Sequence, residues 1–380
     1  MNSSETNATM AAWRAGLFTV LKLLILLTCG PGALAAPPVA PEGMKSDFLA
    51  LCDLAVDHIN NPARHEPKPV PFYNDSYGVR ALAVAYDMTG KRQYLNTCKT
   101  WADRMIAYQR EMIPKGAYYM NYNRKPGDTN AAWYVADSSS IALGILATAV
   151  RCETPAEKQR YLNSVLSFSK LVTGKYIGEA GGVMNGLWPR YGGEWWCSSG
   201  IFGSLAFQLY AETGDEKHLQ TGLNAIHWLN HIDLSKTKFE FWSTGAPTVV
   251  MYVLEAYSTG LPYLPKEGKL REEALAQIRW CLNWMQANQA SRVTSCPWDY
   301  HHQWGSKSGG LPFHTYIYGR LIPEMSELIG ASDAEMKYIA SVLKDRPQPG
   351  LPQLAVFAMM SYAERVSPGV IYRSSRKTGQ

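Results

Sequence analysis

From Phe48 onward, apolar and polar positions alternate in blocks with the period of helices. Phe48 to Ile59 is an amphipathic stretch. Tyr77 to Tyr86 is apolar with small residues, Asp87-Met88-Thr89-Gly90 breaks it, and Tyr94 to Arg110 follows as a longer segment with a polar face. The same order returns as Asp137 to Val150, a break at Thr154-Pro155, and Glu157 to Val172. It returns again as Ser198 to Tyr210, a break at Thr213-Gly214, and Glu216 to Leu229. A fourth unit joins Pro247–Tyr257 to Leu270–Ala287 across Gly260 to Pro265. A fifth joins Pro312–Ile329 to Asp333–Leu343 across Gly330, and Pro352 to Val366 is a last apolar helix. Each unit predicts an αα-hairpin whose first helix is apolar and whose second has a polar face. Units recurring at roughly 40 to 65 residues imply a repeat architecture.

An open solenoid needs polar caps at its ends. Here the first helix is amphipathic and the last is apolar, so the two are natural partners. Pairing them gives six inner and six outer helices in a closed ring. The expected fold class is therefore all-α, an (α/α)6 toroid, as one domain over residues 47–370 with a C-terminal tail at 371–380. Ahead of it, Arg14, the apolar run Gly16 to Leu27 and Ala33-Leu34-Ala35 have the order of a secretory signal. We expect a signal peptide at 1–35 and a Pro-rich leader at 36–46. The apolar run is too short for a comfortable membrane span. Met10 is an alternative start, and Cys29 is a weak alternative anchor point for lipid.

The stretch Trp133 to Thr148 stands out. Ile141 to Ala147 carries no charge on any face, which predicts a helix buried all round. Asp137 with Ser138, Ser139 and Ser140 looks like a helix start, because short oxygen side chains accept from the unpaired N–H groups of a first turn. Asp137 is then either a cap or a carboxylate presented at the mouth of the ring. Asp75, in YNDSYG, opens the preceding inner helix with the same ambiguity.

Export permits disulfides. Beyond Cys29 there are six cysteines, at 52, 98, 152, 197, 281 and 296. Three of them sit inside apolar helical patterns, so buried thiols are as natural a reading as bridges. No C-x-x-C or H-E-x-x-H spacing occurs, so no metal and no cofactor are expected. The net charge is +5 with charged residues at 18%, and no basic cluster points to nucleic acid. Aromatic content changes the picture more: 12 Trp and 22 Tyr. Their flat faces and polar edges suit a groove for a hydroxylated ligand such as a sugar.

Long connections enter the inner helices at 111–136, 174–197, 232–246 and 288–311. All of them crowd one mouth of a ring, and they carry aromatics. Trp133, Tyr134, Trp188, Trp195, Trp196, Trp242 and Tyr300, with His301 and His302, are the candidate substrate-binding residues. The candidate catalytic pair is Asp137 with Asp75. Glu194, in GGEWWCSSG, and Asp299, in PWDYHHQWG, are alternative acids that could equally be solvated loop carboxylates. His58, His218, His227 and His231 read as surface or packing residues. Sugar cleavage needs an acid that keeps its proton near neutral pH. Burial raises a carboxyl pKa and a helix N-terminus lowers it, so burial has to win at Asp137.

The hairpin order, the Thr-Gly turns, YVADSSSIALGILA at Asp137 and NDSYGVRALAVAYDMTG at Asp75 resemble the six-hairpin glycosidase superfamily. Within it they are most similar to the unsaturated glucuronyl and rhamnogalacturonyl hydrolases. That resemblance implies an exported glycoside hydrolase acting on oligosaccharides that contain uronic acid, with an Asp at an inner-helix start hydrating a vinyl ether. The alternatives are a polysaccharide lyase on the same toroid, with a Tyr or His base, and a glycan-binding protein without turnover. The expected partners are a glycan and at most a few copies of the chain itself.

Overall fold

A computed structural model of the protein describes residues 42–61, 72–119, 133–186, 193–234 and 245–292. All belong to the compact unit Val39–Gln380. The expected fifth hairpin and the last apolar helix lie outside the described residues. Within them the chain forms α1 (Glu42–Asn60), α2 (Phe72–Thr89), α3 (Arg92–Glu111), α4 (Val135–Ala149) and α5 (Pro155–Lys175). There follow α6 (Trp196–Thr213), α7 (Glu216–Asn230), α8 (Gly245–Gly260), a short 3-10 turn at Leu261–Tyr263, and α9 (Lys269–Arg292). No β-strand occurs among the described residues; isolated bridges join Tyr134 to Gly186, Ile177 to Val183 and Met184 to Glu194.

Packing sorts the helices into two layers. The apolar helices lie side by side in chain order, α2 on α4, α4 on α6 and α6 on α8. The second helix of each hairpin backs its own partner: α3 on α2, α5 on α4, α7 on α6 and α9 on α8. α1 packs on α2 and α3, as the outer helix of a seam should. The expected hairpins are therefore present four times, with the apolar member inside. Outer helices show one buried stripe: Tyr94, Cys98, Trp101 and Met105 on α3 recur at helical spacing and are buried. Each such large side chain contributes about 1.5–3 kcal/mol by leaving water. Inner helices face protein on all sides; on α4 every residue but Asp137 is buried.

The turns repeat in chemistry as well as position. At the α2–α3 break, the Thr89 hydroxyl donates to the Ala85 carbonyl at 2.7 Å and accepts from the Lys91 N–H at 3.2 Å. At the α6–α7 break, the Thr213 hydroxyl donates to Leu209 at 2.7 Å and accepts from the Asp215 N–H at 3.2 Å. Gly90 and Gly214 follow with φ of 67° and 71°, a left-handed conformation that a side chain would strain. α5 starts differently: the Thr154 hydroxyl accepts from the Glu157 N–H at 3.3 Å, with Pro155 in the first turn.

One bond crosses between inner helices that are not neighbours in the layer. The Arg80 guanidinium on α2 donates to Glu255 on α8 at 2.8 Å, with both side chains almost fully buried. α2 and α8 are first and fourth in the inner succession, so this pair spans the interior that the layer curves around. Arg80 also lies 4.5 Å above the Tyr77 ring. The five described cysteines, Cys52, Cys98, Cys152, Cys197 and Cys281, are free thiols. Among the described residues no helix is long and apolar enough to cross a membrane.

Candidate active site

The first turn of α4 carries the strongest chemical signal. α4 is capped not by Asp137 but by Tyr134, which is extended and contributes no side-chain hydrogen bond. The Val135 N–H instead donates to the Asn185 carbonyl at 3.0 Å, so a loop backbone does the capping. Asp137 sits three positions past the cap residue and is the one partly accessible residue of the helix. Its surroundings are nonetheless mostly protein, and burial pushes its pKa up to about 7. Burial thus outweighs the helix terminus, which favours the anion. The effect reaches a neighbour: the Cys197 thiol, on the first turn of α6, is held well above its usual range by burial and by the charge of Asp137. The starts of α4 and α6 therefore adjoin.

Asp75 has the same place in its helix but a different setting. It is 2% exposed, and its Oδ1 lies 3.1 Å from His58 Nε2 of α1, itself 2% exposed. Asp75 is thus engaged by the outer helix of the seam, and His58 is a buried partner, not a surface residue. Burial is the cause of the Asp137 shift; no charge from Asp75 contributes to it. The two carboxylates occupy adjacent helices, as expected, without acting as a coupled pair.

Glu194 is half-buried and engaged by protein donors at both oxygens. Its Oε1 accepts from the Ala180 N–H at 2.8 Å and the Gly182 N–H at 3.2 Å, and its Oε2 accepts from Trp228 Nε1 of α7 at 2.7 Å. A carboxylate with three donors is a fixed structural anion. Glycine at 182 is required, because a Cβ there would run into the Trp228 ring.

The aromatics divide. Trp133 is fully buried and meets Tyr176 edge-on at 5.1 Å, so it is a core residue and not part of a binding wall. Tyr134 is half-buried and shapes the α4 start through its bridge to Gly186. Trp195 and Trp196 are half-buried, with ring centroids 6.2 Å apart, and remain candidates for a binding wall. Tyr118, another loop aromatic, is also core: it is buried, 5.5 Å from the Phe168 ring, and shares a 2.7 Å hydrogen bond with Ser164. Trp188, Trp242, Tyr300, His301, His302 and Asp299 lie outside the described residues.

Ser138 Oγ, Ser198 Oγ, Asn185 Oδ1 and Trp196 Nε1 are buried and have no hydrogen-bond partner among the described residues. Sequence reasoning marked Trp196 as a binding candidate and Ser138 as part of a helix start, and passed over Ser198 and Asn185; serine within an otherwise apolar inner helix was the signal for Ser198. Among the described residues no group of three His, Cys, Asp or Glu side chains could hold a metal ion.

No protein-family model matches the sequence, and no curated protein matches it either. Among solved structures, a polysaccharide lyase aligns with a TM-score of 0.51 at 12% identity, covering 84% of this chain and 97% of the lyase. A glycoside hydrolase family 76 mannosidase from Bacteroides thetaiotaomicron VPI-5482 aligns at 0.48 and 13%, covering 83% and 98%. A glycosyl hydrolase of family 88 from Bacteroides vulgatus aligns at 0.45 and 13%, covering 84% and 99%. At such identities the likeness concerns fold, and the lyase alignment carries it. Together with the inner and outer helix layers, it gives the chain an (α/α)6 toroid.

Proposed function

We propose that the protein is an exported carbohydrate-active enzyme, a glycoside hydrolase acting on oligosaccharides that contain uronic acid, with Asp137 as its general acid and base. The observation that carries this reading is the Asp137 carboxyl, partly open at an inner-helix start and holding its proton up to about pH 7. An acid with a pKa near the working pH is suited to both giving and taking a proton in one cycle.

Among the described residues no second carboxylate is coupled to Asp137, which favours a reaction that one group can run. Hydration of the vinyl ether of an unsaturated uronate is such a reaction. The acid protonates one carbon of the double bond. As carboxylate it then takes a proton from the water that adds to the other carbon. The resulting hemiketal opens by losing the ring oxygen, which leaves a ketone there and a hemiacetal at the anomeric carbon. The hemiacetal breaks down to an aldehyde and releases the glycosidic oxygen as an alcohol, with the acid already regenerated by the proton from water. Trp195 and Trp196, at the adjoining α6 start, are suited to stacking on the sugar. The signal-like segment at 1–35 supports export.

The test is a panel of uronic-acid oligosaccharides with and without the double bond, followed at the absorbance of the unsaturated uronate. The expected result is loss of that absorbance with release of the saccharide beyond it. A rise in absorbance from saturated substrate would establish the lyase reading, which the shared fold with a polysaccharide lyase keeps in second place. Binding without turnover on every substrate would establish a glycan-binding protein.

A further inference from the structure

We propose that Glu194 is a positioning residue: it clamps the 176–186 loop against the first turn of α4, and that loop keeps water from the Asp137 carboxyl. The proposal rests on the reading of Asp137 as the acid and goes beyond it by naming what holds that acid in its state.

The connection can be followed bond by bond. Glu194 gathers the tip of the loop through the N–H groups of Ala180 and Gly182. The tip is a tight turn, with the Gly178 N–H donating to Gly182 at 2.8 Å and the Gly181 N–H to Gly178 at 3.1 Å. The other oxygen of Glu194 ties this tip to Trp228 on α7. Beyond the tip the loop is laced to the start of α6. The Trp195 N–H donates to the Val183 carbonyl at 2.8 Å, and the Val183 N–H donates to the Ser199 hydroxyl at 2.8 Å. The Met184 N–H donates back to Tyr176 at 2.8 Å, which closes the loop on itself. Asn185 then accepts from the Val135 N–H, two residues before Asp137, and Tyr176 packs on Trp133. The loop thus lies along the starts of both α4 and α6, and Asp137 sits where they adjoin.

The rest of the loop has no other ionic fastening among the bonds just described. Glu194 is the one carboxylate in that chain, and it spends three acceptor contacts on it. Charge-assisted bonds of this kind are roughly twice as strong as neutral ones. Gln at 194 keeps the shape but turns one terminal oxygen into an N–H2, which opposes either Trp228 or the loop N–H groups. The titratable groups on neighbouring first turns are Cys197 on α6 and Asp75 on α2, the latter engaged by His58 of α1. Glu194 itself faces Trp228 and the loop backbone, so its removal deletes no charge known to act on Asp137. Loss of a like charge would also lower a carboxyl, so Trp228→Phe, which keeps the Glu194 charge, is the variant whose shift reports hydration.

The experiment labels aspartate carboxyl carbons with 13C in the full chain and assigns Asp137 by its absence in Asp137→Asn. The pH titration of that resonance is compared in the parent, in Glu194→Gln and in Trp228→Phe, which removes only one donor to Glu194. The parent is expected to titrate near 7. Glu194→Gln is expected to lower the midpoint by about one pH unit, a tenfold change in the protonation equilibrium, and Trp228→Phe to lower it by less. Should Glu194→Gln fail to fold, the Trp228→Phe shift decides. A parent midpoint near 7 that neither variant moves, with folding intact, overturns the positioning role and leaves the reading of Asp137 standing. A parent midpoint in the ordinary carboxylate range overturns both.

Discussion

The starts of α2 and α4 hold an aspartate in the same turn of the same repeat, yet the two carboxylates have opposite surroundings. Asp75 is sealed at 2% exposure and engaged by His58. Asp137 is the only residue of α4 left partly open, and burial alone raises it to about 7. The repeat therefore fixes where an acid sits and not what it does. What differs is the neighbour that covers each start. α1 brings a histidine to the first, whereas the 176–186 loop brings the Asn185 carbonyl and the orphaned Asn185 Oδ1 to the second. A carboxylate given a buried partner becomes a seam; one given none becomes available for chemistry.

The largest effect should come from breaking the sealed start. Asp75→Ala leaves His58 buried without its carboxylate partner, and losing a buried hydrogen-bond partner costs about 1–3 kcal/mol. A chemical denaturation curve should show this as a lower midpoint, while turnover per folded molecule stays close to the parent. A variant of native stability that loses turnover would instead place Asp75 in the chemistry, and the contrast between the two starts would collapse.

At the open start the order reverses. Asp137→Asn should cut turnover at least about a hundredfold, the scale that general acid–base catalysis supplies. Stability should hold, because the α4 cap is the Asn185 carbonyl and not the Asp137 side chain. Steady-state kinetics on the substrate that the panel identifies, with a melting curve beside it, separates the two. Full activity in Asp137→Asn would end the assignment.

Much of this arrangement is legible in the residues themselves. Apolar helices, polar-faced helices and Thr-Gly turns are local features, and Gly90 and Gly214 end their helices as the sequence suggests. The buried α4 with its single acid is likewise written in Trp133 to Thr148. The contacts that decide each acid's role are not local. His58 meets Asp75 across a hairpin seam, and Glu194 meets Trp228 from a different helix. Nothing in the spacing of Trp133 or Tyr118 separates a loop aromatic lining a groove from one folded under it. Arg80 and Glu255 are charges within stretches that read as apolar, and sequence reasoning passed over both; their pairing requires the curvature of the layer. Sequence pattern here sets the scaffold, and tertiary contact assigns the chemistry.

The open start should also leave a mark on stability as pH changes. Asp137 has a folded pKa of about 7, raised from the ordinary aspartate value of 3.8. Between those values the folded chain holds a proton that the unfolded chain has released. Stability from this group is therefore full below about pH 4, falls as pH rises to about 7, and is flat above it. A shift of this size corresponds to about 4 kcal/mol if fully expressed, and solvent at the open face screens it to about 2 kcal/mol. Unfolding free energies of parent and Asp137→Asn, measured across this range, should converge at low pH and diverge in favour of Asn at high pH. Parallel curves would mean that the carboxyl is hydrated in the folded protein.

The smallest effect concerns the third start, that of α6, and asks which of the two kinds it is. Trp196 is half-buried there, and its Nε1–H is buried with no acceptor among the described residues. Trp133 carries an Nε1 in the same condition but in the core. An indole N–H without an acceptor contributes nothing to folding, so replacing either by Phe removes an unsatisfied donor at little cost beyond the packing change. If the α6 start is open like that of α4, the Trp196 N–H serves a ligand hydroxyl. Trp196→Phe should then weaken glycan binding by about tenfold, the scale of one hydrogen bond, with nearly unchanged melting. Trp133→Phe should leave binding alone. Calorimetric titration of both variants against the same oligosaccharide reads the difference directly. Equal binding in the two would make the α6 start a sealed one, unlike the α4 start at Asp137.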